Sequence, residues 1–103
     1  MRYYAVRNMS DPSLLVLASL AGGDKHGYAM MQDIQQFAGT RLGPGTLYGA
    51  ITRLEQRGLI RGVDSDDRRR PYTLTALGQR QLQAELASLS QFVKIGSRRL
   101  HEL

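Results

Sequence analysis

The stretch from Leu42 to Ile60 constrains this chain more than any other, because it reads as one helix with both ends marked. Pro44 suits the first helical turn, where its missing N–H would have no partner in any case, and Gly58 suits the left-handed residue that closes a helix. Between them, Leu47, Ala50, Ile51 and Leu54 repeat at the three-and-four spacing that gathers side chains on one face. That face belongs to a core.

Each helical residue turns the chain by about 100°, which places Gly45, Gly49, Thr52 and Gln56 on the opposite face. Thr46 and Arg53 flank it on one side and Tyr48 on the other, with no carboxylate among them. A glycine inside a helix costs about 1 kcal/mol relative to alanine, and close approach of another surface is one way to offset the cost of Gly49. A small, hydroxylated, amide-bearing and positive face fits the DNA major groove and reaches phosphates and base edges. The alternative is an ordinary surface helix that lacks acids on that side, so the flanking segments decide.

Charge favours the first reading. The chain has 103 residues and a net charge of +5, but residues 1–39 are balanced, while residues 40–80 carry eight arginines against four acids. The excess therefore surrounds the marked helix, as a polyanion footprint would. Twelve of the fourteen basic residues are arginine, the side chain suited to forked contacts with phosphate and guanine. There is no cysteine, which excludes disulfides and thiol chemistry and fits a reducing compartment. No apolar run approaches the roughly 18 residues that cross a bilayer, and no signal segment opens the chain, so a soluble, cytoplasmic protein without membrane partners is expected.

The remaining segments complete a compact pattern. Residues 1–9 show no clear period and read as an N-terminal arm. Asp11 and Pro12 form a cap and first-turn pair for a helix carrying Leu14, Leu15, Leu17, Ala18 and Leu20, which stops at Gly22 and Gly23. A second helix runs from about His26 to Phe37 or Ala38, with Met30, Ile34 and Phe37 on one face and Gly39 as its stop. Thr40 to Leu42 offer no more than a stub of strand. The marked helix follows directly, as in a helix-turn-helix unit. Leu59–Val63 and Tyr72–Thr75 then read as two strands around a polar, charged turn, and its Arg68, Arg69 and Arg70 suit phosphate or minor-groove contact. The rival view of that turn is a solvated loop in which Asp64, Asp66 and Asp67 neutralise the arginines.

Thr75 reads as the N-cap of a last helix from Ala76 towards Leu103. Leu82, Leu86, Leu89 and Val93 are spaced four, three and four apart and Leu100 falls seven later, with Gly96 interrupting the seam. So much apolar surface after a finished small domain predicts a dimerisation helix, the alternative being a helix that folds back onto the first one. Twofold symmetry would present two marked helices to two half-sites.

The chain carries, in this order, His26-Gly27-Tyr28; Leu42 with Pro44-Gly45-Thr46-Leu47-Tyr48; Arg53-Leu54-Glu55; Gly58-Leu59-Ile60; and Arg70-Pro71-Tyr72-Thr73-Leu74-Thr75 with Gly78. In this order and spacing the motifs make it resemble the PadR-like winged-helix transcriptional regulators of the short type, with a single C-terminal dimerisation helix. The resemblance covers about residues 11–100. It implies a homodimer that represses transcription at a palindromic operator and lets go when an effector binds, with Thr46 and Tyr48 touching DNA and Arg68, Arg69 and Arg70 in the wing. The chain departs from the family pattern at Gly43, where a serine-like cap is usual, and at Gly49, where proline is common. It has no tryptophan with which to sandwich flat aromatic drugs.

The expected architecture is mainly α with a small β-hairpin: a winged helix-turn-helix over residues 10–75, a dimerisation helix over residues 76–103 and the arm before them. The expected DNA contacts are Gly45, Thr46, Tyr48, Gly49, Thr52, Arg53, Arg68, Arg69 and Arg70. The expected dimer contacts are Leu82, Leu86, Leu89, Val93 and Leu100. A winged-helix module that binds an acidic protein is the rival reading. Catalysis is not expected, because there is no nucleophile–base pair, metal cluster or phosphate loop, and His26 and His101 lack partners of ligating type. No cofactor or metal is expected either.

Overall fold

The computed structural model of the protein describes residues 11–64 and 70–103. The arm, Arg68 and Arg69 lie outside the described residues. The order of elements is α1 (Pro12–Ala21), α2 (Gly27–Ala38), α3 (Pro44–Gln56), β1 (Ile60–Gly62), β2 (Tyr72–Leu74) and α4 (Ala76–His101).

The helix ends follow the local chemistry. The Asp11 carboxylate accepts the Ser13 N–H at 2.9 Å and so satisfies one of the unpaired donors of α1. Gly39 closes α2 at φ +67° and Gly58 follows α3 at φ +75°, a backbone region costly for residues with a Cβ. At α2, His26 occupies the N-cap position but its side chain makes no capping hydrogen bond. Its Nδ1 is buried without a partner, so the imidazole packs rather than caps.

All four apolar residues expected on the inner face of α3, Leu47, Ala50, Ile51 and Leu54, are buried. They share one core with Leu15, Val16, Leu17 and Leu20 of α1, Met30 and Ile34 of α2, and Leu59 and Ile60 at the start of the hairpin. Each fully buried large aliphatic side chain contributes on the order of 1.5–3 kcal/mol, so α1 and α3, richest in them, hold the domain together. Phe37 differs from expectation and remains 50% exposed. The buried stripe of α2 runs through Gly27, Met30 and Ile34 to Ala38, so its last step is four residues rather than three and turns Phe37 away.

A polar clamp that periodicity does not reveal joins α1 to α2. Buried Ser19 donates its hydroxyl to Asp33 at 2.7 Å, and Lys25 Nζ lies 3.8 Å from the same carboxylate. Lys25 also donates to the Ser19 and Gly23 carbonyls, which satisfies acceptors at the C-terminus of α1.

The strands pair antiparallel, with Ile60 opposite Leu74, Arg61 opposite Thr73 and Gly62 opposite Tyr72. Thr40–Leu42 form no strand. The backbone that borders the hairpin comes instead from Lys25, which exchanges two hydrogen bonds with Tyr72, at 3.3 and 3.0 Å. The wing is thereby tied to the entrance of α2.

Thr75 joins three elements. Its hydroxyl accepts the Gly78 N–H at 3.0 Å and donates to the Gly58 carbonyl at 2.7 Å, and its N–H reaches the Leu59 carbonyl at 3.1 Å. The N-cap expected from sequence thus also fastens α4 to the end of α3. The first turns of α4 pack on α1 and bury Leu82 in the chain's own core, at 6% exposure. Leu82 therefore does not belong with the exposed apolar stripe, which starts at Leu86 and continues through Val93 to Leu100.

Candidate nucleic-acid interface

Because α3 turns four aliphatic side chains inward, its other side is fixed by geometry. Gly45, Thr46, Thr52 and Arg53 are exposed, Gly49 is half-buried, and Tyr48 is 47% exposed. These are the residues on the marked helix expected to touch DNA. Nothing within 4 Å would meet a Cβ at Gly45. No contact within the described chain requires glycine there, although an exposed helical glycine costs about 1 kcal/mol. Substitution of Gly45 by alanine should accordingly raise the unfolding free energy by about 0.5–1 kcal/mol in denaturant titration and weaken DNA binding. Unchanged affinity in that variant would remove the close-approach role of this position.

At Gly49 the nearest group to an added Cβ is the Arg53 Nη1, at 3.4 Å. The guanidinium lies back along the helix over the bare backbone one turn earlier. Thr52 donates its hydroxyl to the Tyr48 carbonyl at 2.9 Å, which leaves the oxygen lone pairs able to accept from outside.

Tyr48 has a second task that no spacing in the sequence announces. Its ring lies so close over Gly27 that any Cβ there would collide with the phenol. The first turn of α2 and the start of α3 therefore meet through a tyrosine on a glycine, which explains why glycine stands in the His26-Gly27-Tyr28 motif.

Of Arg68, Arg69 and Arg70, only Arg70 lies among the described residues, and it folds back onto the hairpin. Its guanidinium occupies the space that a side chain at Gly62 would need, sits 6.0 Å from the Tyr72 ring centre, and lies 3.9 Å from the Glu55 carboxylate. Both partners of that ion pair are solvent-accessible, so it is worth at most about 1 kcal/mol and can open towards a phosphate. Arg70 thus pairs with the one acid of α3, at the edge of the outer side of that helix. Burial, and secondarily the Glu55 charge, push the Tyr72 phenol above the ordinary tyrosine range.

Among the described residues no cluster of histidine, cysteine or carboxylate side chains has the geometry of a metal site. None of their helices is long and apolar enough to cross a membrane.

A helix-turn-helix braced by a two-stranded wing, with an acid-free outer face on the second helix of the unit, defines a winged-helix DNA-binding fold. Comparison with known proteins specifies the family. Residues 16–84 match the transcriptional regulator PadR-like family, and the chain belongs to it. That match places residues 16–84 in a family of transcriptional regulators.

Among individual relatives, an uncharacterised 37.1 kDa protein of a Streptomyces fradiae transposon is 45% identical over 82 residues, which is 80% of this chain. The chain spans only about a quarter of that relative, 24% of its length. Among solved structures, a PadR family transcription regulator from hypervirulent Clostridium difficile superposes with a TM-score of 0.78 at 24% identity, covering 86% of this chain and 97% of the other. A transcriptional regulator from Clostridium thermocellum superposes at 0.75 and 24% identity, covering 87% and 90%. At this identity the two structures bear on the fold, which they share.

Proposed function

We propose that the protein represses transcription in the cytoplasm by binding a palindromic operator as a homodimer, and that an effector releases it. The observation that carries the reading is the outer face of α3, where glycines expose bare backbone beside Thr46, Thr52 and Arg53 and no carboxylate intervenes. Such a face can enter the major groove, with Tyr48 and Arg53 reaching base edges and the wing arginines Arg68, Arg69 and Arg70 on the backbone or in the minor groove.

The dimer rests on α4. Beyond Leu82 its Leu86, Val93 and Leu100 are exposed, and Phe92 beside them is 75% exposed. Half-buried Leu89 continues the stripe and, with Leu14 and Ala84, lines an open groove of about 420 Å³ against α1. A second copy of α4 laid along this stripe would cover both, and twofold symmetry would then space two α3 helices for adjacent major grooves on one side of the duplex. An effector that prised the helices apart would change that spacing.

The test is fluorescence anisotropy on two duplexes of equal length, one recovered by selection from a random pool and one scrambled. A preference of at least about 10³-fold that persists at physiological salt is the expected result. Arg53→Ala should remove roughly 1–3 kcal/mol from the selected duplex and much less from the scramble. Equal, steeply salt-sensitive binding to both would reject the sequence-specific repressor and return the weight to a protein-binding module.

A further inference from the structure

Outside α3 the structure holds a second polar concavity that the recognition helix does not explain. Tyr28, Met31, Gln32 and Gln35 form one continuous stripe along α2, and Arg41 and Leu42 in the connection to α3 face it across a notch of about 200 Å³. Leu42 is buried, whereas Tyr28, Gln32, Gln35 and Arg41 are exposed. The rim therefore offers a phenol, two carboxamides and a guanidinium, all able to donate, and no carboxylate lines it.

Both ends of the notch are anchored to the start of α3. Tyr28 follows Gly27, on which the Tyr48 ring rests, and Arg41 and Leu42 lead directly into Pro44. Whatever the first turn of α3 enters, the notch borders.

We propose that this notch seats one phosphate of the DNA backbone that flanks the groove occupied by α3. Arg41 supplies the charge, and the Tyr28 hydroxyl and the Gln32 and Gln35 amides donate to the phosphate oxygens. The contact carries no base information. Its effect is to fix the depth and register of α3, and so to position Thr46 and Arg53. A single phosphodiester suits the site better than an extended acidic peptide because the concavity is small and holds one cation. The inference rests on the DNA-binding reading above, and its test separates the two.

The experiment compares wild type, Arg41→Gln and Gln32→Ala on the selected and scrambled duplexes across a salt titration, with circular dichroism to verify folding. Arg41→Gln is expected to weaken both duplexes by a similar factor of about ten and to lower the slope of log affinity against log salt by about one. Gln32→Ala should weaken both by a smaller factor and leave the slope unchanged. Single methylphosphonate linkages are then placed in turn along the selected duplex. One position should weaken wild type about tenfold and Arg41→Gln much less, which marks the phosphate in the notch. Specific binding by wild type with unchanged affinity and slope in Arg41→Gln would overturn the notch and leave the repressor standing. No specific binding by wild type would overturn both. Competition by millimolar inorganic phosphate at matched ionic strength, acting on wild type and not on Arg41→Gln, would overturn the duplex assignment in favour of a free-anion site.

Discussion

Replacing Gly78 with alanine is expected to lower the unfolding free energy by about 3 kcal/mol, measured by urea titration, and to reduce the melting temperature by more than about 10 °C. A Cβ at this position would collide with the Leu59 carbonyl and its carbon, both backbone atoms. Backbone cannot swing aside as a side-chain tip can. Relief requires α4 to lift from β1, and that movement would break the Thr75 bridge to Gly58 and Leu59 and loosen the seat of Leu82. Gly27→Ala is the contrasting case. The colliding atoms there are the far end of the Tyr48 ring, which can rotate into solvent, so the stability cost should be about 1 kcal/mol or less while the start of α3 is disturbed. Equal stability losses in the two variants would contradict this division between backbone and side-chain clashes.

The second large effect concerns assembly. Leu86→Asp combined with Val93→Asp is expected to convert the proposed dimer to a folded monomer in sedimentation equilibrium, with a loss of affinity for the selected duplex of at least about a hundredfold. Both side chains are exposed in the single chain, so the carboxylates cost little in the monomer but would be desolvated and unpaired across a helix–helix seam. Leu82→Ala should behave differently, because Leu82 fills the chain's own core. Truncating it should cost about 2–5 kcal/mol of stability in the monomer itself. A double aspartate variant that remained dimeric would move the interface off this stripe. An aspartate variant that unfolded would show that the stripe stabilises the single chain, contrary to its exposure.

Much of this chain was legible before any coordinates. Local rules are strongest where one residue type is nearly obligatory, and the helix ends at Asp11, Pro44, Gly39, Gly58 and Thr75 all follow from unpaired backbone groups or positive φ. The inner face of α3 followed from periodicity alone, because four aliphatic side chains at three-and-four spacing allow only one buried side. Once that side is assigned, the outward residues, proposed here to face DNA, are what remain. The strand pair was also readable, although three of its four edges contracted by one residue.

Where structure and spacing differ, the origin is physical. Spacing alone places Phe37 and Leu82 on faces, but the neighbour that covers a helix face is set by how helices cross, and this is not written in either helix. Ala38 took the core seat expected for Phe37, and α1 took the face of Leu82 expected for a second copy. Similarly, Lys25 became the third line of the wing because the turn after α1 carries it past Tyr72, across 47 residues of sequence.

By itself, then, the sequence determined which segments are helical, where each ends, and which side of α3 is apolar, since these depend on interactions within a turn or two of chain. Only the tertiary structure decided that Tyr48 rests on Gly27, that Arg70 folds back to Glu55 and Tyr72, that Gly78 lies against the Leu59 carbonyl, and that Arg41 faces α2 across a polar notch. Those contacts join residues far apart in the chain, and their partners are selected by close packing among whole elements rather than by any local preference.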